Sequence, residues 1–515
     1  MTASKSLPAR PSLDSLRKQA KKLARDRSVS LRSAQLAVAR DYGFPGWQDL
    51  IAEVSRRLGT DLDWAASQAH VAIHNNNVER LRQLLTEYPA LLSWRGDHDR
   101  NGLLGFATGA YGDAGDPQRE AWFTRAQPAE LLIDAGAIVT PAVLEGLLQS
   151  RAKALLQLFH RKGLLPRTLT FFAALGDLDA VRAAVNAAAL DRTRIHEAFF
   201  IACAFAHAPV ASLLLEHAIA LDPALGARID ATVGRASFVT QFIEKMEFRR
   251  DQPETLDPWT MFVLGQVRLA LKDGNLAGFV AAFERDRWLL EDDFVWFQVE
   301  VIATASFNRD RGPFIRALLD LNPAVLRRQP PPPSEAIAYA LTYANADLIP
   351  LLTRIWPLPD DLAHAAGMGN LSRVKQWFDD TGAPALGDLS RQYPATSPHA
   401  QQYDDLGWGP VQVQHVLDTA LAFAVINKHF DIADFLLQHG ANINTNWNSH
   451  EPASILHHLV FLPNSHESMK YLVDRGIDLT IEDYRWNSTA AGWARYALKD
   501  EKMAQWLEEA QRARS

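Results

Sequence analysis

The 515-residue sequence has a single cysteine, Cys203, and no long run of apolar residues. One cysteine excludes a framework of intramolecular disulfides, and its apolar neighbours predict a buried, inert thiol. No stretch approaches the roughly 18 apolar residues that a membrane-spanning helix needs, and the N-terminus lacks the apolar segment of a secretion signal. These absences predict a protein of the reducing cytoplasm with no membrane span.

The sequence also lacks the short motifs of common catalytic and cofactor sites. It contains no Cys-x-x-Cys pair, no His-Glu-x-x-His helix, no Gly-x-Ser-x-Gly elbow and no Gly-x-x-x-x-Gly-Lys phosphate loop. His457 and His458 are adjacent, so on a helix their side chains point about 100° apart and cannot share one metal ion. We therefore expect neither a metal nor a cofactor.

A repeat of 35 residues is the strongest positive feature of the sequence. Thr419, Ser454 and Thr489 begin three similar segments, Thr-Ala-Leu-Ala, Ser-Ile-Leu-His and Thr-Ala-Ala-Gly, each 35 residues after the one before. A hydroxyl residue at this place predicts a helix N-cap. A period of roughly 33 to 35 residues indicates one small helical unit, which buries its apolar face only by stacking on its neighbours.

Each unit reads as two helices joined by a turn. After Thr419, residues Leu421 and Ala424 share one face of the first helix. Ile432, Phe435 and Leu436 then form the apolar stripe of a second helix. Glycine follows that second helix in two successive units, at 440 and 476, where it tolerates the left-handed conformation found just past a helix end.

These residues resemble the ankyrin repeat. The resemblance implies an all-α solenoid of helix-turn-helix units with short fingers between them, and it implies a scaffold that binds another protein. Weaker copies of the second helix begin upstream at Asn77, Asp177, Asn275 and Asn370, which lie 100, 98 and 95 residues apart. Since each gap is close to three periods, we expect on the order of a dozen repeats between residues 62 and 510.

The predicted domain organisation has three parts. Residues 1–60 form a basic three-helix capping module, residues 61–360 form degenerate ankyrin-like repeats, and residues 361–515 form better-matched repeats with a long inserted loop at 384–416. The terminal helix from Met503 to Arg514 has a polar outer face, which suits the last unit of a stack.

Charge separates the N-terminal module from the rest. The net charge is −7, but residues 1–40 carry ten Lys or Arg against two Asp, so that the remainder is −15. Residues 7–13 (Leu-Pro-Ala-Arg-Pro-Ser-Leu) and 39–47 (Ala-Arg-Asp-Tyr-Gly-Phe-Pro-Gly-Trp) resemble a short module that precedes ankyrin repeats in many bacterial proteins. In that interpretation Phe44 and Trp47 dock on the opening repeat.

The basic residues 17–25 also suggest nucleic-acid binding, because clustered Lys and Arg release counterions from phosphates. Lys18, Lys21, Lys22 and Arg25 nevertheless follow helical spacing opposite an apolar stripe, as on any solvated amphipathic helix. Nucleic acid therefore ranks last among the predicted partners.

Departures from the repeat hold the candidate binding residues, because insertions in a stack form loops that can contact a ligand. These departures are the inserted loop 384–416, an expansion at 94–117, and the fingers that carry Trp447 and Trp486 as two exposed indoles. The candidate binding residues are Asp97, His98, Tyr403, Trp408, His415, Trp447, His450 and Trp486.

Two functions stay open at this point. The first is a protein-binding scaffold. The second is an enzyme or small-molecule binder, whose pocket is formed by loop 384–416 and the C-terminal fingers. Its catalytic residues would be His399, Tyr403, Asp404 and Asp405, since paired carboxylates among aromatic residues can supply an acid and a base. Each of these residues also has a plain structural interpretation, as a turn residue, a solvated loop or packing on the preceding finger.

Overall fold

The computed structural model describes most of the chain. The described residues are 13–26, 31–44, 46–47, 50–51, 53–54, 62–95, 101–109, 125–187, 191–245, 256–324, 334–393, 411–445, 447, 453–483 and 488–514. Within these ranges the fold is all-α, with 28 α-helices and no strand. The predicted all-α repeat solenoid is confirmed.

The chain divides into two compact units, Met1–Ala224 with Arg250–Glu254, and Leu225–Arg249 with Thr255–Ser515. The helices of the first unit are α1 Leu13–Asp26, α2 Leu31–Asp41, α3 Leu62–His74, α4 Val78–Glu87, α5 Gly102–Thr108, α6 Ala126–Asp134, α7 Pro141–Ser150, α8 Lys153–Arg161, α9 Leu169–Leu175, α10 Leu178–Ala187, α11 Arg192–Ala204 and α12 Ala208–Leu221.

The chain continues with α13 Pro223–Thr232, α14 Arg235–Lys245, α15 Pro258–Asp273, α16 Leu276–Arg285, α17 Val295–Ala305, α18 Gly312–Leu321, α19 Ala336–Thr342, α20 Ile349–Leu352, α21 Leu362–Gly367, α22 Leu371–Lys375, α23 Val413–Ile426, α24 Phe430–Gln438, α25 Ile455–Val460, α26 His466–Asp474, α27 Ala490–Gly492 and α28 Glu501–Arg512. A π-helix, Trp493–Leu498, extends α27. Short 3-10 segments occur at Pro89–Leu92, Arg287–Leu290, Asp292–Phe294, Arg309–Arg311, Ala346–Leu348 and Leu389–Arg391.

From α3 onward the described helices form thirteen consecutive pairs. The predicted markers Asn77, Asp177, Asn275 and Asn370 each stand directly before the second helix of a pair. Each side-chain oxygen accepts a hydrogen bond of 2.9 to 3.0 Å from the backbone N–H three residues later. The markers are therefore N-caps, which explains why their spacing reports the repeat.

The helix start predicted at Thr419 is wrong, whereas those at Ser454 and Thr489 are confirmed as N-caps. Helix α23 begins at Val413, because Gln412 and His415 form a reciprocal capping box upstream. Thr419 lies inside the helix, and its hydroxyl donates to the carbonyl of His415 at 2.7 Å. The inserted segment thus ends before Val413.

The expansion predicted at 94–117 is not all loop. Residues Gly102–Thr108 form α5, with Leu103, Leu104 and Ala107 buried in the core of the first pairs. The glycines in this segment suggested a loop. Gly102 instead begins the helix with φ +63°, a left-handed conformation that glycine adopts without steric cost.

The described part of the N-terminal module has its own core. Leu16, Ala20, Val38, Ala39, Leu50 and Val54 are buried together. Phe44 and Trp47, which the sequence assigned to docking on the first repeat, pack against this core. The basic residues Lys18, Lys21, Lys22 and Arg25 are exposed on the opposite side of α1, as the amphipathic pattern predicts.

At two places, a histidine in the turn of one helix pair packs against a glycine in the turn of the preceding pair. Gly176 and Gly369 both have φ +73°. A Cβ atom would lie 2.5 Å from the His207 ring at Gly176 and 2.6 Å from the His429 ring at Gly369. Since His207 Nε2–H also donates to the carbonyl of Ala174 at 2.9 Å, the imidazole ties the two turns together.

We predict that Gly369→Ala destabilises the protein more than Gly234→Ala does. Gly234 has a similar φ of +72° but open space around its missing Cβ, so alanine there meets only the conformational cost of about 1–2 kcal/mol. At Gly369 the contact with His429 adds about 1–3 kcal/mol of overpacking. Urea unfolding of both variants measures the difference, and equal midpoints would show that the imidazole contact imposes no constraint.

Candidate functional site

Most of the predicted site residues lie outside the described residues. This holds for Asp97, His98, His399, Tyr403, Asp404, Asp405, Trp408, His450 and Trp486. The structure therefore places two of the predicted residues, His415 and Trp447.

His415 is part of the cap of α23. It is half-buried in the first turn, and its Nδ1 atom accepts a hydrogen bond of 3.3 Å from the backbone N–H of Gln412. This imidazole therefore caps the N-terminus of α23.

Trp447 is buried, so the prediction of an exposed indole at this position is wrong. Its residue surface is 3% exposed. The finger folds inward because Asp418, a buried residue of α23, accepts a 2.8 Å hydrogen bond from the N–H of Asn442 and is also bonded by Thr445. The backbone N–H of Trp447 then donates to Thr445 Oγ1 at 3.1 Å. Burial raises the pKa of the Asp418 carboxyl above its ordinary value.

Trp447 joins four other buried rings, which we call the ring cluster: His364, Tyr393, Phe423, Trp447 and His458. Each of the five residues is at most 9% exposed. The centroid of Phe423 lies 6.0 Å from His364, 5.4 Å from Tyr393 and 6.3 Å from Trp447. Trp447 lies 5.5 Å from His458. The cluster thus brings together the first helices of three pairs (α21, α23 and α25), the finger that carries Trp447, and the start of the inserted segment.

Sequence reasoning missed this cluster, although a signal was present. Phe423 and His364 each stand five residues before the left-handed residue of their turn, Lys428 and Gly369 respectively. Equivalent positions in successive pairs face the same neighbours in a stack. Two ring side chains at one repeat position therefore indicated a shared surface.

A buried aspartate holds His364. Asp361 is the N-cap of α21, and its carboxylate accepts from the backbone N–H of His364 at 2.8 Å and from Nδ1–H of the same residue at 2.8 Å. Gln392 Oε1 accepts from the N–H of Leu362 at 3.1 Å, so the same helix end also anchors the inserted segment. Among the described residues, the buried Nε2 of His364 has no hydrogen-bond partner.

In His457, by contrast, both ring nitrogens have hydrogen-bond partners. It occupies the same third position of α25, where Nδ1 accepts from Ser454, and its Nε2–H donates to the carbonyl of Ser488 at 2.9 Å. Ser488 directly precedes the next N-cap.

The last turn of α19 lies against the same group of helices. Nε2–H of His458 donates to the carbonyl of Thr342 at 2.7 Å, and Nδ2–H of Asn427 donates to the carbonyl of Leu341 at 2.9 Å. Both carbonyls belong to a helix C-terminus, where intrahelical partners are missing. These bonds join pairs that are not consecutive, whereas a simple solenoid has contacts between neighbours alone.

We predict that Asp418→Ala lowers the stability of the finger by about 1–3 kcal/mol, since the buried N–H of Asn442 loses its acceptor. Asp418→Asn keeps an oxygen acceptor and removes a buried charge, so its effect is small. Hydrogen exchange at the amide of Asn442 and urea unfolding of both variants test the role. Equal protection in the alanine variant would contradict it.

We predict that acid weakens the fold through His457. Burial lowers the pKa of His457 from its ordinary 6.5, so the unfolded ring takes up a proton at a higher pH than the folded ring. The stability is complete above the ordinary pKa and declines as the pH falls through it towards the folded value. Between about pH 7.5 and about pH 5.5 the wild-type unfolding midpoint falls more steeply than that of His457→Gln, which keeps a donor for Ser488 without titrating. Identical pH profiles would exclude His457 as the source.

Comparison with known families matches residues 406–483 to the ankyrin repeats, in three copies. No curated protein matches the chain. In the described helices, none combines the length and apolar character needed to cross a membrane. Likewise, within the described ranges no group of three or more His, Cys, Asp or Glu side chains is placed to hold a metal ion. The matched segment contains α23 to α26 and includes Phe423, Trp447 and His458, so this C-terminal part of the chain is similar to ankyrin repeats.

Proposed function

We propose that the chain is a scaffold that binds another protein through the concave face, the fingers and the inserted loops of its repeats. The observation that carries this proposal is the ankyrin match at residues 406–483, because ankyrin repeats generally serve as protein-protein interaction modules. Stacked repeats present an extended surface in which each unit adds a few contacts. The proposed site of action is the cytoplasm.

The proposed contact residues are those of the expansions and fingers: Asp97, His98, Tyr403, Trp408, His450 and Trp486. Trp447 is left out because it is buried, and His415 because its ring caps α23. We further propose the division into a capping module at 1–60, degenerate repeats at 61–360 and better-matched repeats at 361–515.

Exposed apolar side chains in the last two pairs support a protein partner. Phe461 is 49% exposed, Tyr496 77% and Leu498 41%. Tyr496 and Leu498 belong to the π-helix, and the Phe461 ring lies 5.5 Å from Trp493 at its start. Large aromatic residues on a surface commonly anchor interfaces.

Nothing in the described residues favours catalysis. The alternative of an enzyme pocket formed by loop 384–416 and the C-terminal fingers rests on His399, Tyr403, Asp404 and Asp405, all outside the described residues. Protein binding is therefore the function proposed.

We predict that Tyr496→Ser and Trp486→Ser each weaken capture of the partner roughly tenfold, as expected for aromatic anchors. The matched control is Ile138→Ser, since Ile138 is also an exposed finger side chain at 61% exposure but lies in the first unit. The immobilised wild-type chain is used to capture and identify proteins from the source cells, and the affinity of each variant for the captured protein is then measured.

A loop variant completes this experiment. Residues 394–410 are replaced by a Gly/Ser linker, because Gln392 and Tyr393 belong to the fold and must stay. Reduced capture with an unchanged unfolding midpoint supports contact through the loop. If the two serine variants and the linker variant bind the partner as well as Ile138→Ser does, the proposed contact surface is wrong.

A further inference from the structure

The last helix pair contains one residue more than the pairs before it. In α19, α21 and α23 a buried alanine carbonyl accepts from the backbone N–H five residues later, as Ala424 does from His429 at 2.8 Å. In the last pair the buried Ala494 accepts from the N–H of Asp500, six residues later, also at 2.8 Å. The π-helix accommodates the extra residue. Such π segments are frequent at functional sites.

The segment that holds the extra residue is exposed, whereas the same segment of an inner pair is buried. In α23 the two residues after the alanine, Val425 and Ile426, are at most 2% exposed. In the last pair three consecutive apolar residues, Tyr496, Ala497 and Leu498, are exposed. The π-helix therefore presents to solvent a stretch that an inner pair keeps in its core.

Phe461 extends this exposed surface. Its ring lies 5.5 Å from the ring of Trp493, and Trp493 is held from within by a 2.9 Å hydrogen bond from Nε1–H to the carboxylate of the buried Asp483. We call the exposed residues Phe461, Tyr496 and Leu498 the terminal patch. Because the ring beneath Phe461 is already fixed, a partner that binds the patch orders few side chains.

Two lysines beside the terminal patch lack a counter-ion within the described ranges. Lys499 directly follows Leu498, and Lys502 lies in the first turn of α28. Both side chains are exposed, and neither has an ion-pair partner in the part of the chain that the structure describes.

The nearest acids, in contrast, already have partners. The guanidinium of Arg495 donates to Glu501 at 2.9 and 3.0 Å and to Glu508 at 3.2 Å, and it lowers the pKa of both carboxyls. Asp500 caps α28, since its carboxylate accepts from the backbone N–H of Met503 at 3.0 Å. The unbalanced charge next to the patch is therefore positive, although the net charge of the whole chain is −7.

We infer that the terminal patch binds an acidic segment of the partner protein, in which an apolar side chain stands between Asp or Glu residues. The apolar side chain packs on the patch, and the carboxylates pair with Lys499 and Lys502. This inference rests on the proposed function and adds the chemistry of the partner. A symmetric contact between two copies of the chain fits less well, because it brings the same lysines of both copies together.

The test selects short random peptides that are displayed on phage. The immobilised full chain is the bait, and peptides that also bind Tyr496→Ser are removed. We expect the remaining peptides to combine Phe, Trp or Leu with Asp or Glu. Synthetic copies of them bind the wild-type chain roughly tenfold more tightly than Tyr496→Ser in fluorescence anisotropy. Their binding weakens as the salt concentration rises, since exposed ion pairs are screened.

Charge reversal tests the two lysines. The double variant Lys499→Glu with Lys502→Glu weakens binding of the selected peptides roughly tenfold, because two attractive contacts become repulsive. The matched control is Lys21→Glu with Lys22→Glu, which makes the same change in net charge at two exposed residues of α1 in the first unit. This control leaves peptide binding unchanged. Both double variants keep the wild-type unfolding midpoint, since all four side chains are exposed.

Three peptide results overturn the inference: no selected peptide depends on Tyr496, the selected peptides are not acidic, or the double variant at Lys499 and Lys502 weakens binding no more than the control. Sedimentation overturns it as well if it shows a dimer that Tyr496→Ser dissociates, since the patch then holds a second copy. The proposed function survives each of these results if the chain still captures a protein through Trp486 or the inserted loop. Loss of all capture from the source cells rejects the function instead, even where acidic peptides bind the patch.

Discussion

Burial by stacking is the constraint on which the rest of the structure depends. A single helix pair is too thin to cover its own apolar face, so Leu436 of one pair and Leu472 of the next reach full burial only through their neighbours. In four of the turns a left-handed residue is followed by an Asn or Asp that caps the second helix, namely Asn77, Asp177, Asn275 and Asn370. At Gly369 the next pair contributes directly, through the ring of His429.

One local change, the early start of α23, accounts for several features of the C-terminal part. Gln412 and His415 cap the helix upstream of Thr419, so the extra turns occupy the place of the expected finger. Tyr393 and Trp447 fill the adjacent interior, each carried by a segment that connects two pairs. The segments that connect these pairs therefore contribute aromatic side chains to the buried interior.

The sequence allowed the architecture to be predicted better than the site. Periodicity identified the helix pairs and the caps at Asn77 and Asn370, because both depend on local residue types. The direction in which a finger points depends instead on residues outside it. The sequence placed Trp447 on the surface, but Asp418 of helix α23 binds the backbone of its finger and holds the finger against the interior. The ring cluster was missed for a similar reason, since His364 and His458 contact residues up to 116 positions away.

The bonds from α19 to α23 and α25 change how this region comes apart. In a purely linear array, end units can fray one after another while the middle stays folded, because each boundary is independent. Here Thr342 and Leu341 are held by side chains from the two later pairs. Loss of any one of these pairs removes partners from the others, so the whole segment behaves as a single cooperative block. Long-range closure of this kind also makes assembly slower than nearest-neighbour zipping, since a large loop must be ordered first.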